Sequence, residues 1–596
     1  MKSLRNKLIS LNKTKLLFGI LLVVLSAIVL ISFIITSRLF DNYLYISDVA
    51  IVLRAVKFLA KNGLYKIENF LFWTDNFFVH LSILIVPLYL LTHNSLLCLG
   101  VLQATSGLLI TISLGYFLKN LKFSINTILI TLCIFISLNY GDLTPYGNVG
   151  IFYALTTSIY LIILGLYADL VLFKHSSFKK AKQLIIYMLS IILGFYGERF
   201  LMILFIPLLL TEIILLLNEM KNHKDKIISP LFIRKGFFVS LSMLCFFSIG
   251  YIGYKVLGKL TEQPFWLVPL GIKNFINSFN TLPNSLDSIL GQLMVNVACE
   301  ISFDNFSIIA EKLLRMTFLI VLAIVLFRVI KTKFTSTEHK NIIFFFVSST
   351  SLVFVAFTIF QGYLIGFYVP RYFFFIWYFI IILIAIFFDY IEQKAYKIFF
   401  AFILIPLCTV SFYNNVLTRY VNWSNAINNN AISTTQKISD YLKFNDYQFV
   451  MGELSDIAKF EILDIDTMQF MYGSTNFSFD VSNPFTDYVG YDRRYLKDDT
   501  LDGKKIAIIL NEQDLINFMT YAPDNDKAYL AAMREDTVID GFHIYETYTN
   551  PVTTFEMPKR IGETSTYYFS KRYAYKNADH INYEERYIDV SQYLGA

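Results

Sequence analysis

The sequence predicts an all-α polytopic membrane bundle of about eleven transmembrane helices, with interfacial helices in its first outer loop and a C-terminal extracytoplasmic α/β domain. Three observations carry this expectation. The 596 residues are 56% hydrophobic and only 16% charged, where soluble domains carry roughly 25% charge. Apolar runs of membrane-spanning length recur from residue 16 to residue 413. Residues 1–413 hold 34 Lys and Arg against 18 Asp and Glu, a net +16, while residues 414–596 hold 17 against 27, a net −10, together the formal +6. A basic membrane part (1–413) joined to an acidic tail (414–596) places the tail on the face that lacks the positive loops. This balance gives no reason to expect a nucleic-acid partner.

The first run, 16–36, follows Arg5, Lys7, Lys13 and Lys15 and lacks a small-residue cleavage site, so it reads as an uncleaved span with the N-terminus in the cytoplasm. Further runs lie at 78–92, 96–117, 125–140, 150–173, 184–196, 200–217, 236–256, 313–330, 341–361, 372–388 and 398–413. Lys and Arg cluster at Lys119 and Lys122, Lys174 to Lys182, Lys221 to Lys235, Arg328 to Lys340, and Lys394 and Lys397. The positive-inside rule puts all of these in the cytoplasm only if one run before Lys119 does not cross. Run 78–92 is the shortest of the early ones and holds His80 and Pro87, so it is expected to be interfacial or re-entrant. Of the five cysteines none falls in a disulfide or zinc pattern.

The outer segments are then 37–96, 141–149, Gly197 to Arg199, 257–312, 362–371 and the tail. In the first, Ser47 is a plausible N-cap, Val49, Val52, Leu53, Val56 and Leu59 follow helical spacing, and Gly63 suits the position after a helix end. Arg54, Lys57 and Lys61 line the other face, where a cationic stripe suits a lipid phosphate; ordinary headgroups would suit it too. Asp48 starts this helix, with Asp41 before it and Asp75 after Trp73. A carboxylate at a helix N-terminus caps it electrostatically; an ionised one at the membrane surface can also take a proton from an attacking hydroxyl.

Other outer candidates are His80, able to bond or exchange a proton near neutrality; Glu198 and Arg199 at the tip of a helical hairpin; Asp142 in the turn after the 125–140 run; and Arg371, in Pro370-Arg371-Tyr372, a fixed cation for a lipid phosphate. The loop 257–312 adds Glu262, Trp266, Asp287, Glu300 and Asp304 without metal-like spacing. Asp169 and Glu212 lie toward the cytoplasmic ends of their spans. In the tail, an amphipathic helix to about Lys443 precedes expected strands at 447–452, 461–465, 504–510 and 542–548, with a helix near Gln513 to Met519. Its aromatic content would suit sugar stacking, although aromatics more often fill a core.

An apolar span, an outer loop with an early Asp, an amphipathic helix and then Gly63-Leu64-Tyr65 together resemble the first loop of the C-type membrane glycosyltransferases, the superfamily of protein mannosyltransferases and aminoarabinose transferases. His80-Leu81-Ser82, then Pro87-Leu88-Tyr89, then Leu99 with Gln103-Ala104, resemble a little-characterised bacterial family placed near them, whose pattern usually begins His-Phe-Ser-Pro; Leu81 and Ile83 depart from it. The resemblance covers roughly residues 16–413. It implies a catalytic base at Asp48, with Asp41 as the other possibility and His80 in the same cavity. It also implies a polyprenyl-phosphate sugar donor and an envelope glycan, lipid or protein acceptor outside a bacterial plasma membrane. Arg54, Lys57, Arg199 and Arg371 would meet the lipid phosphate. No cofactor is required by it, and a divalent Mg or Mn ion is left open. The rival expectation is a non-enzymatic flippase, export partner or envelope-assembly factor.

Overall fold

A computed structural model describes residues 16–29, 47–63, 84–138, 148–171, 178–222 except 198–199, 235–260, 306–331, 375–390 and 394–414, and, with short gaps, 434–472 and 503–548. The chain divides into two compact units. The first comprises Met1–Phe33, Gln103–Tyr254 and Ile272–Asn422; the second, Ile34–Leu102, Lys255–Gly271 and Trp423–Ala596.

The helices are α1 (Leu16–Val29), α2 (Ser47–Asn62), α3 (Val86–Thr92), α4 (Ser95–Asn120), α5 (Ile125–Ser137), α6 (Asn148–Val171), α7 (Lys179–Gly194), α8 (Ile206–Asn222), α9 (Lys235–Leu260), α10 (Phe306–Lys331), α11 (Phe375–Tyr390) and α12 (Lys394–Phe412). Among the described residues four stretches are long and apolar enough to cross a membrane: Leu97–Asn120, Tyr153–Val171, Lys235–Val256 and Ala395–Phe412. Shorter apolar helices are Leu16–Val29, Ile125–Ser137, Leu201–Leu217 and Ile376–Asp389. The protein is thus a mostly helical membrane protein. The seven residues of α3 span only about 10 Å at the helical rise, far less than a bilayer core. The expected spans at 184 and 313 begin earlier than their apolar runs, at Lys179 and Phe306, because helix formation carries polar first turns that a hydropathy reading leaves outside.

Within the first unit, one end collects positive loops. Lys122 and Lys182 both pair with the buried carboxylate of Asp169, the former at 2.8 Å. Lys235 donates to the Leu170 carbonyl at 3.4 Å. Ser124 caps α5 and, with Thr127, binds Asp389 at the end of α11, and Lys397 donates to the Phe388 carbonyl. Loops expected on one side of the membrane therefore meet at one end. At the C-terminal end of α7, that helix and α9 meet at glycines: a Cβ on Gly250 would collide with the Ile191 carbonyl, and one on Gly194 with the Phe247 carbonyl. Close backbone approach through small residues is how membrane helices associate without a hydrophobic drive. Gly250→Ala is expected to cost about 1–3 kcal/mol, as overpacking does; a heat-induced aggregation midpoint in detergent unchanged from wild type would contradict it.

In the tail, α13 (Thr434–Phe444), β1 (Phe449–Gly452), β2 (Gln469–Tyr472), β3 (Ile506–Asn511), α14 (Glu512–Tyr521), β4 (Arg534–Ile539) and β5 (Phe542–Thr547) build a five-stranded sheet of order β2-β1-β3-β5-β4. The β2-β1-β3 ladder is parallel, and β3-β5-β4 is antiparallel. Strands β1 and β3 are buried along almost their whole length, as continuous apolar strands inside a parallel sheet are. In the strand expected at 461–465 the described residues, Glu461 and Leu463, are helical, and the strand that follows is β2; Ile462, Asp464 and Ile465 lie outside the described residues. Glu461 is buried, and a short apolar run such as this one fits either the helical or the strand period. Strand β4 was not anticipated. It joins β5 through Asp540 and Gly541, both at positive φ, the two-residue turn that matches strand twist in hairpins.

Candidate functional site

Helix α2 is amphipathic as expected and ends at Gly63, which has φ 69 and donates its N–H to the Leu59 carbonyl at 2.9 Å. Its apolar face is wider than the sequence stripe: Val52, Leu53, Ala55, Val56, Phe58 and Leu59 are all buried, and α3 packs against it. Asp48 lies in the first turn. Helical register puts it in line with Val52, Ala55 and Leu59, at i+4, i+7 and i+11. It therefore sits on the line of the buried stripe, away from that of Arg54, Lys57 and Lys61. Lys57 is half-buried. The structure describes the backbone of Asp48 and Arg54 but not their side chains. Asp41, Asp75, His80, Asp142, Glu198, Arg199 and Arg371 lie outside the described residues.

The positions of Glu198 and Arg199 are bracketed by described neighbours. Gly197 has φ 84, Phe200 follows, and Leu201–Phe205 forms a π-helical turn leading into α8. Such turns often mark functional segments. From it an aromatic series runs along α9, with ring centroids 4.6 Å apart for Phe205 and Phe247, 6.3 Å for Phe247 and Tyr251, and 6.1 Å for Tyr251 and Tyr254.

The most concentrated chemistry in the first unit is one that sequence reading missed. At the end opposite Asp169, Glu311 and Arg315 face each other one turn apart on α10, both almost fully buried. Arg315 Nε donates to Glu311 Oε1 at 3.1 Å, and its Nη2 donates to the same oxygen and to Ser411 Oγ on α12, the latter at 2.9 Å. Ser411 in turn donates to Glu311 Oε1 at 2.6 Å, and Asn414 Nδ2 donates to Oε2 at 2.6 Å. The Arg315 guanidinium lies 5.3 Å from the centre of the Trp377 ring at the start of α11. Below this layer Phe318, Phe400 and Phe387 interlock α10, α12 and α11. One carboxylate thus receives a guanidinium, a hydroxyl and an amide inside an apolar bundle. The signal in the sequence is Glu311-Lys312-Leu313-Leu314-Arg315, an i,i+4 pair, but hydropathy starts the span at 313 and so leaves Glu311 outside it.

Glu212, also fully buried, accepts a hydrogen bond from Tyr167 Oη at 2.7 Å. It packs against Gly236, where a Cβ would collide with its carboxylate. Glu212 and Asp169 thus have built partners at the basic end.

The tail carries two polar clusters. In one, Tyr441 and Tyr447 donate to Asp536, at 2.5 and 2.7 Å, and Lys505 lies 3.2 Å from Glu546. Burial opposes ionisation of Asp536, but the two tyrosine hydroxyls and the nearby Lys505 and Arg534 hold its carboxyl below the usual range. Burial, then Asp536, push Tyr441 up to about 12. In the other, at the C-terminal ends of β1 and β3, Asn511 caps α14 by accepting from the Asp514 N–H at 2.8 Å. Its amide donates to both Asp456 and Asp514, at 2.8 and 2.6 Å. Burial, and then the charges of Glu453 and Asp456, raise Asp514 to about 7. A carboxyl whose folded value is raised stabilises the fold below its unfolded value near 4, and loses that contribution as pH rises through the folded value. Amide exchange in residues 506–521 of the whole chain, corrected for intrinsic rates, is therefore expected to show weaker protection at pH 8 than at pH 5.5. Asp514→Asn should flatten the difference, and an undiminished pH dependence in that variant would assign it elsewhere.

Among the described residues no group of three or more His, Cys, Asp or Glu side chains is placed to hold a metal ion. No protein-family model matches the chain, and no curated protein matches it.

Proposed function

We propose that the chain is a membrane glycosyltransferase of the C-type kind, moving a sugar from a polyprenyl-phosphate donor to a cell-envelope acceptor on the outer face of a bacterial plasma membrane. The observation that carries this reading is α2: a helix too short and too amphipathic to span, opened by Asp48 and following the first apolar helix, the arrangement on which the sequence resemblance rests. On this reading the basic end that holds Asp169, Lys122 and Lys182 faces the cytoplasm by the positive-inside rule. The end that holds Glu311 and Arg315 then faces outward, as does the tail.

The chemistry is an inverting displacement. The acceptor hydroxyl attacks the anomeric carbon as Asp48 takes its proton, with Asp41 as the other possible base, and the bond from that carbon to the phosphate oxygen breaks. The lipid phosphate leaves with the electron pair. Arg371, with Arg199, meets the charge developing on it, and such pre-set cations are worth most where water is excluded; Arg54 and Lys57, on a line of α2 away from that of Asp48, are the less direct alternative. His80, in the same cavity on this reading, is a further candidate for hydrogen bonding or proton transfer; Glu198, Asp75 and Asp142 are other outer-face candidates, and a Mg or Mn ion is compatible with the scheme.

The test is mass spectrometry of envelope glycans and glycoproteins from a deletion strain carrying wild type or Asp48→Asn at matched protein level. A sugar lost on deletion and restored by wild type alone supports transfer and names the donor by its mass. Full restoration by Asp48→Asn moves the second reading ahead: a lipid-linked glycan flippase, export partner or assembly factor. That reading is favoured by the buried pair of Glu311 with Arg315 in an apolar helix, since ionisable groups there commonly line transport pathways; Glu212, near the basic end of its span, does not add to it.

A further inference from the structure

The hydrogen bonds around Glu311 describe an anion receptor that the chain fills with its own carboxylate. Three different donors converge on the two oxygens: the Arg315 guanidinium, the Ser411 hydroxyl and the Asn414 amide. A guanidinium fork with a hydroxyl and an amide is also the donor set that fits a phosphate, whose oxygens present the same acceptors. The donors come from α10, from α12 and from the residues just after α12. The Trp377 face against Arg315 holds the guanidinium from a third helix, α11. Arg315 therefore has an anchor that does not depend on Glu311. A charge pair in this setting is poor stabilisation compared with apolar side chains of similar volume, and a charge inside membrane helices is a functional candidate by default.

We propose that Arg315, Ser411 and Asn414 form a binding site for a phosphate monoester, and that Glu311 occupies it until the phosphate displaces the carboxylate. Resting on the transferase reading, the ligand is the phosphate of the polyprenyl carrier released when the sugar leaves. An internal competitor lowers apparent affinity by the fraction of molecules in which it has vacated the site. Glu311 then sets how tightly the spent carrier is held, and its return to Arg315 favours release.

The experiment titrates the purified full-length protein in detergent with polyprenyl monophosphate, in parallel with inorganic phosphate, and follows binding by native mass spectrometry. Glu311→Gln removes the competing charge while keeping the shape. It is expected to tighten polyprenyl monophosphate binding by roughly tenfold. Glu311→Leu combined with Arg315→Met, an uncharged filling of the same space, is expected to stay folded and to lose binding. An equal tightening for inorganic phosphate supports the site and assigns its ligand as free phosphate. Unchanged or weaker binding by Glu311→Gln overturns the proposal, as does wild-type binding by the double variant. The glycan measurement on Asp48→Asn is independent of both: its failure with these binding results intact would sink the transferase reading and leave a phosphate site in a protein of another kind.

Discussion

Arg315→Met is expected to destabilise the protein by about 3–5 kcal/mol, and adding Glu311→Leu to it is expected to restore most of that loss. The single change leaves the Glu311 carboxylate inside the bundle with the Ser411 and Asn414 donors but without its cation. Desolvation of that charge is then opposed only by those two neutral donors, and the packing of Arg315 on Trp377 is lost as well. The double change removes both charges and substitutes side chains of similar volume, for which buried ion pairs are commonly exchanged at little cost or with gain. The check is the heat-induced aggregation midpoint of the three proteins in one detergent. A single variant as stable as the double one would mean that the pair is hydrated in the folded protein, and the burial argument would fail.

The second large effect is on rate. On the proposed transferase reading, Asp48→Asn is expected to lower transfer from a polyprenyl-phosphate sugar by about 10²–10⁴-fold, the usual weight of a general base, while leaving the amount of folded protein close to wild type. The structure supports the second half of this expectation. Asp48 stands at the start of α2, and the burial that holds the helix comes from Val52, Val56 and Leu59 further along it. Asparagine removes only the first-turn charge, worth about 0.3–1 kcal/mol at an exposed helix N-terminus, so a large fall in protein level would indicate a structural role instead. Equal rates in Asp48→Asn and wild type, with a loss in Asp41→Asn, would transfer the role of base to Asp41.

Periodicity and punctuation made several elements readable. The stripe Val52, Leu53, Val56, Leu59 closed by Gly63 gave α2 its position and end, because a helix buries one face and a left-handed residue stops it. The apolar runs gave α4, α6, α9 and α12, because length and hydropathy are what a bilayer demands. In the tail, β1, β3 and β5 were readable from short runs of β-branched and aromatic residues. The helical segment at Glu461 was not, since a brief apolar run fits either period. Strand β4, rich in charged residues, carries no apolar run, and its one signal in the sequence is the Asp540-Gly541 turn that follows it.

The sequence by itself determined that this protein is a mostly helical membrane protein with a basic bundle and an acidic tail, and it marked Asp48 as the head of an amphipathic helix. These are local properties, set by composition, charge and the repeat of a single segment. Only the tertiary structure decided that Lys122 and Lys182 neutralise Asp169, that Gly194 and Gly250 meet, and that Glu311, Arg315, Trp377, Ser411 and Asn414 form one layer. Residues about a hundred positions apart are brought together there by antiparallel packing of α10 on α12. No window along the chain contains both, so the chemistry of that layer exists only once the helices have packed.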